Sequence, residues 1–391
     1  MDRGLLLVAR GLRAFGFGFS AVLIGVHLES RGLPPGLIGL TLGLGLAAAS
    51  LSGLGAAWLA TRFGRRSTLA VAGALMALTG LDLGLATQAP LLVAAGLTGM
   101  LGAASVDLGP FAAVEQAVLA EAVPAARRNV AFGRYSLTGG LFTAAGGLAA
   151  ALATGSGGGR AFFLLYAAIG AATALLPLLM SARVEAPRAA ATFGSFRPLV
   201  GLAALFALDS LGGGFVANAV IAYWLHVRFA AGTSVLGPLF AAIAVLQAVS
   251  YEAAGRLGDR FGLINTMVFT HLPSNLLLLL VPLSPSLPWA IAILLARFSL
   301  SQMDVPVRQA YVVSIVPAAE RAGAVAMTGA VRGVGQSFGP VLTGIAIGAA
   351  SFGFPFYAGG VLKIFYDLAL FAGFRNRPAE STGDAGSWPR T

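Results

Sequence analysis

The sequence contains no cysteine and a single lysine, Lys363. Disulfides and thiolate metal sites are therefore excluded. Charge of either sign is scarce. Charged residues make up 10% of the 391 residues, against about 25% in a soluble domain. That shortage excludes an ordinary soluble enzyme, a disordered chain and a coiled coil. There is no H-E-x-x-H, no G-x-S-x-G nucleophile elbow and no phosphate-binding P-loop. Neither an enzyme nor a cofactor or metal site is expected. The 53 glycines have no collagen period and fall singly or in pairs inside apolar runs. A cleaved signal peptide is not expected, because the first apolar run is too long and no small-residue cleavage site ends it.

What the chain has in abundance is apolar length. It is 57% hydrophobic, with a mean hydropathy of +0.85. A spanning helix takes roughly 20 apolar residues, so the chain has room for about twelve. The predicted fold class is an all-α polytopic membrane protein. Apolar runs between punctuation by Gly, Pro and charge predict spans 1 to 6 at 5–28, 36–60, 67–87, 91–118, 130–153 and 161–181. Spans 7 to 12 follow at 199–225, 234–255, 263–283, 289–316, 323–349 and 355–374. Short loops make sequential spans antiparallel neighbours. Ala182–Pro198 is the longest polar gap. It divides an N-terminal six-helix half (1–181) from a C-terminal half (199–374), leaving 182–198 as a central loop and 375–391 as a tail. That tail is too short to be the output domain of a non-transporting sensor.

The formal net charge of +10 would suggest nucleic acid in a soluble protein. In a membrane chain it reads as topology, and no nucleic-acid partner is expected. With the N-terminus inside, Arg62, Arg65, Arg66, Arg127, Arg128, Arg183, Arg188, Arg197, Arg256, Arg260, Arg321, Arg375 and Arg377 fall on the cytoplasmic side. Only Arg31, Arg160 and Arg228 fall outside. The positive-inside rule then predicts a multi-pass plasma (inner) membrane protein with both termini cytoplasmic. A monomer is expected.

The halves echo each other. TRFGRR after span 2 corresponds to DRFG after span 8, and 115–128 (EQAVLAEAVPAARR) aligns without a gap on 308–321 (RQAYVVSIVPAAER). His27 and His226 sit at equivalent outer ends of spans 1 and 7. A duplicated six-helix unit is the pattern of a secondary transporter with its site between the halves.

On these features the sequence resembles the major facilitator superfamily over essentially its whole length. The most specific element is that family's cytoplasmic loop motif, G-x-L-[AG]-D-R-x-G-R-[RK]. The second-half copy reads Gly255-Arg256-Leu257-Gly258-Asp259-Arg260-Phe261-Gly262. The first-half copy, Ala57 to Arg66, keeps Arg62, Gly64, Arg65 and Arg66 but has Thr61 in place of the acid. The resemblance implies that these residues belong to a cytoplasmic gate, latched mainly through Asp259. The antiporter motif G-x-x-x-G-P-x-x-G-G is absent from span 5, where Gly146-Gly147 stands. Its nearest match, Gly335 to Pro340 with Gly344, lies in span 11. The family's span 4 arginine motif is also absent, and only Arg297 in span 10 is equivalent. No subfamily is assigned.

Charged residues inside a membrane are costly, and they usually face a bundle interior or cavity. The acids so placed are Asp82, Asp107, Glu115, Asp209, Glu252 and Asp304. The bases are Arg10, Arg13, Arg134, Arg297, Arg308 and Arg332. Mutual pairing is the plain reading for most. Glu115 with Arg134, near the cytoplasmic ends of spans 4 and 5, is expected to be a gate or packing pair. Asp107 and Asp304 lie nearer mid-membrane, each followed within three residues by a proline (Pro110, Pro306) that is expected to kink the helix. They are the expected proton or ligand acids, although Asp304 and Arg308, at i,i+4, would share a face and could neutralise each other. His271 could relay protons or simply pack. Asn218 and Gln336 could line the cavity or bond between helices. The Gly139, Gly140, Gly146 and Gly147 run is expected to allow close helix contact, and Phe15 and Phe19 are expected to pack. The predicted activity is alternating-access transport of a small organic solute, with proton-coupled export preferred. Import or facilitation of an organic anion is the alternative that the membrane arginines allow.

Overall fold

The computed structural model describes residues 2–102, 109–124, 128–185, 200–314 and 321–375. Fifteen α-helices make up nearly all of them, and no strand occurs among the described residues. In chain order they are α1 (Asp2–Ser30), α2 (Pro35–Phe63), α3 (Arg65–Leu85), α4 (Ala89–Ala94), α5 (Pro110–Glu121), α6 (Arg128–Ala149), α7 (Gly155–Leu175) and α8 (Val200–Gly214). The rest are α9 (Asn218–Phe229), α10 (Thr233–Phe261), α11 (Leu263–Leu280), α12 (Leu287–Phe298), α13 (Asp304–Ser314), α14 (Arg321–Gly348) and α15 (Phe354–Phe374). Nine stretches among the described residues are long and apolar enough to cross a membrane, counting α8 with α9 as one. The pieces of spans 4 and 10 and the long α14 complete a twelve-span bundle.

Three spans differ from the continuous helices expected. Span 4 is described as two pieces, α4 with a 3-10 turn to Thr98 and then α5. The first piece ends at Gly99, in the left-handed region at φ 71°. Span 7 is α8 and α9, separated by Phe215–Ala217. Its three consecutive glycines, Gly212 to Gly214, are poor helix formers. Gly214 also lies so close to α14 that a Cβ there would stand 2.0 Å from the Gln336 carbonyl oxygen. Span 10 is α12 and α13, separated by 299–303. The expected proline kinks are corrected accordingly. Pro110 is the first residue of α5 and Pro306 the third of α13, positions where a missing N–H costs nothing. Both prolines begin a half-helix rather than bend a whole one.

Without a hydrophobic force between lipid-bathed helices, close packing needs small residues. Gly146 and Gly18 bring α6 and α1 into backbone contact: a Cβ on either would lie within 2.2 Å of a carbonyl oxygen on the other helix. The span 5 glycines therefore act as expected, and Phe15 and Phe19 pack edge to face at 5.6 Å. The Gly335–Pro340 stretch is also a packing device, with Gly335 and Gly339 against the backbone of α8.

The halves meet along α1 with α9, α2 with α14, and α6 with α10. The start of α1 and the end of span 6 lie at one end of the bundle, where Asp2 accepts hydrogen bonds from Ser181. Contacts between halves include Gly25 with Tyr223, Gly39 with Pro340 and Gly344, Gly237 with Ala151, and Ser50 with Gly333. Thr233 donates to the Ala153 carbonyl at the opposite, far end. A Cβ at Gly39 would stand 2.3 Å from the Pro340 oxygen. Gly39→Val is therefore expected to prevent this closure. Because the chain has no cysteine, a Tyr223→Cys reporter can be read without background. Its labelling from the far side should rise severalfold in the Gly39→Val variant, and unchanged labelling would refute the closure.

Candidate functional site

The N-terminal half holds a buried charged cluster. Arg13 on α1 donates to the Glu115 carboxylate on α5 at 2.5 Å, and both side chains are almost fully enclosed. The Tyr135 hydroxyl on α6 donates to the same oxygen at 2.8 Å, and the Arg13 guanidinium lies 4.0 Å over the Phe111 ring. Glu115 is thus held by Arg13 and not by Arg134, which is exposed. The sequence expectation failed because Arg134 is one residue out of register with the inward face that Tyr135 occupies.

The C-terminal half holds a larger cluster. Asp209 on α8 accepts from Lys363 Nζ on α15 at 2.7 Å through Oδ1. Its Oδ2 lies 3.5 Å from Arg308 Nη1 on α13. Arg308 also bonds Asp304, so these two partly neutralise each other across one helical turn. His271 on α11 stands between two carboxylates: Nδ1 is 2.8 Å from Asp367 Oδ1 on α15, and Nε2 is 3.8 Å from Asp209 Oδ1. Asn275, one turn further along α11, donates to Asp367 Oδ2 at 2.8 Å. Arg332 on α14 donates to Ser210 at 3.0 Å. Five spans therefore converge on a water-poor polar centre beside the interruptions in spans 7 and 10.

The two clusters are related. In the gapless alignment of the halves, Glu115 stands opposite Arg308. Each bridges to the first span of its own half, Glu115 to Arg13 and Arg308 to Asp209. Each half thus carries a bridge between its first and fourth spans, with the charges inverted.

The loop motif copies also share a backbone. Gly64 (φ 90°, ψ 154°) and Gly262 (φ 82°, ψ 156°) make the same turn between successive helices. A residue with a Cβ would be strained at either φ. In the first copy the Glu185 carboxylate accepts the backbone N–H groups of Arg65 and Arg66 at 2.5 and 2.9 Å, at the positive end of α3. Arg65 forks onto both Glu121 oxygens at 2.6 and 2.5 Å. Arg66 binds the carbonyls of Pro177 and Leu178. Thr61 bonds the Trp58 carbonyl one turn back. Arg62, beside Phe63, and Arg260, beside Phe261, are exposed. The side chains of Asp259 and Glu252, the Gly255 environment, and all of Asp107 lie outside the described residues.

The remaining expected residues scatter. Asp82 is half-buried on α3, with no described side-chain partner. Asn218 is the first residue of α9 and half-buried; Gln336 is half-buried on α14, where its carbonyl meets Gly214. Arg297 is buried at the end of α12. His27 and His226 have diverged: His27 is buried against the Leu83 carbonyl, whereas His226 lies 3.3 Å from Glu29 across the far-end boundary between halves. Sequence reasoning missed Lys363, Asp367, Asn275, Glu121 and Glu185 as site residues. A signal existed for the first two: the only lysine of the chain stands four residues before an aspartate inside a 21-residue apolar helix.

Comparison with known proteins agrees with this architecture. The pattern of the Major Facilitator Superfamily matches residues 6–298 and, in a second overlapping match, 202–390. An uncharacterized membrane protein of Saccharomyces cerevisiae is 24% identical over 94% of this chain and 93% of its own length. Among solved structures, a bacterial homologue of the human lysosomal transporter Spinster, in an inward-facing and occupied conformation, superposes with a TM-score of 0.76. It shares 17% identity over 95% of this chain and 96% of its own. The nucleoside transporter NupG gives 0.75 at 16% identity over 96% and 100% of the two chains. A D-xylose–proton symporter gives 0.74 at 18% over 94% and 97%.

Proposed function

The chain belongs to the Major Facilitator Superfamily, and from that premise we propose that it exports a small organic solute by alternating access, driven by protons that pass through His271. The observation that carries the proton role is an imidazole held between two buried carboxylates. With its Nδ1 proton given to Asp367, a second proton on Nε2 would be directed at Asp209 Oδ1, the same oxygen that Lys363 occupies. Protonation of His271 therefore competes with Lys363 for one acceptor, and the competition spans α8, α11 and α15. Such a competition can bias two arrangements of the same helices, which is what coupling requires. Asp304, held by Arg308, is the weaker candidate for this role.

The end that carries the start of α1 is read as cytoplasmic from the arginine asymmetry. In the export reading, the gate residues around Gly64 and Gly262 separate at that end to admit solute. The expected test uses everted membrane vesicles with an acidic lumen and a labelled panel of sugars, nucleosides and organic acids. At least one solute should accumulate, and a protonophore should collapse the accumulation. Accumulation indifferent to the protonophore would remove proton coupling. Accumulation only in right-side-out vesicles would reverse the direction.

A further inference from the structure

The C-terminal cluster contains a cation that the bonding scheme above does not use. Arg297 is 4% exposed, yet its Nε and Nη1 have no hydrogen-bond partner and it forms no ion pair among the described residues. One turn onward, the Ser301 N–H bonds the Arg297 carbonyl at 3.0 Å, so the two residues share a face. The Ser301 hydroxyl is also buried and unpartnered. Beyond the interruption, Arg308 Nη2 is a fourth buried donor without an acceptor.

Among the described residues, the carboxylates of this cluster are already engaged. Asp209 is taken by Lys363 and Arg308, Asp304 by Arg308, and Asp367 by His271 and Asn275. The described cluster therefore sets Arg297, Arg308, Arg332 and Lys363 against Asp209, Asp304 and Asp367. One positive charge is left over even when His271 is neutral. A guanidinium does not shed its proton to escape burial, and an unpaired buried charge is strongly unfavourable. Retaining one beside a helix interruption, where Leu300, Gln302 and Met303 are only half-buried, is what a waiting anion site requires.

We infer that the unpaired donors of Arg297 and Ser301, at the interruption of span 10, receive the carboxylate of an organic acid substrate. A planar carboxylate matches the guanidinium fork with two parallel hydrogen bonds, and its single negative charge cancels the excess. This assignment of substrate class rests on the transporter reading.

The test uses the purified full chain and its thermal unfolding in detergent. Sodium acetate, benzoate, succinate and inorganic phosphate are compared with sodium chloride at matched ionic strength, alongside the neutral isosteres acetamide and benzamide. Arg297→Met, which fills the volume without charge, is expected to unfold at a higher temperature than the parent when no ligand is present. A merely structural arginine would show the opposite. At least one carboxylate should raise the parent's midpoint, its amide should not, and Arg297→Met should lose the effect. A lower midpoint for Arg297→Met overturns the inference. So do equal effects of carboxylate and amide, protection by phosphate alone, or no protection by any of the anions. In the vesicle assay, accumulation of neutral solutes without any carboxylate would likewise overturn it, yet leave proton-driven transport standing. Failure of all solutes to accumulate would instead remove the transport reading.

Discussion

Replacing Asp209 by Asn is expected to destabilise the protein by about 3–5 kcal/mol, the usual cost of removing one partner from a buried ion pair, and to abolish transport. The carboxylate is enclosed and serves Lys363, Arg308 and the Nε2 side of His271 together. Arg308 would keep Asp304, but Lys363 would lose its only described acceptor and remain a buried ammonium in an apolar helix. The penalty should therefore come mainly from the stranded lysine. The double change Asp209→Asn with Lys363→Met removes both charges and is expected to recover most of the lost stability, because an apolar replacement of a buried pair is often neutral. It should not recover transport. Thermal unfolding of the parent, the two single variants and the double variant measures this directly. A double variant no more stable than Asp209→Asn would show that the 2.7 Å contact with Lys363 is not what makes Asp209 indispensable.

The second large effect concerns coupling. His271→Gln preserves a donor for Asp367 but cannot take up a proton. Gradient-driven accumulation should fall by about tenfold or more, equivalent to losing roughly 1.4 kcal/mol of drive. Exchange of solute at equal pH on both sides should persist. A protonated His271 adds a cation that competes with Lys363 for Asp209. Exchange in the parent should therefore depend on pH, and exchange in His271→Gln should not. Parallel profiles in the two proteins would assign the coupling proton elsewhere, with Asp82 and Asp304 the next acids to test.

Much of the architecture was legible without coordinates because it depends on quantities that a sequence carries directly. Apolar length sets the number of spans, and a duplicated motif at equivalent places sets the internal repeat. The interruptions were less legible. Pro110 and Pro306 marked spans 4 and 10, yet each begins a half-helix where a kink was expected. Span 7 carries no proline, and its separation at Phe215–Ala217 arises where Gly214 is pressed against α14.

Pairing among the charged residues was legible only in part. Asp304 with Arg308 followed from i,i+4 spacing, a local relation. Arg13 with Glu115, Asp209 with Lys363, and His271 with Asp367 join residues 96 to 154 positions apart. No spacing rule reaches across such separations, since which helix faces meet is decided by glycine-mediated contacts between different spans. Glu115 illustrates the limit. Its depth and its hairpin suggested Arg134, and a register difference of one residue gave that place to Tyr135 and the charge to Arg13. By itself the sequence determined the membrane class, the twelve-span duplicated plan and the scarce polar residues available for chemistry. The tertiary structure alone decided which of those residues neutralise one another and left Arg297 without an ion-pair partner among the described residues, because burial and long-range helix packing, not composition, set the electrostatic balance of a buried site.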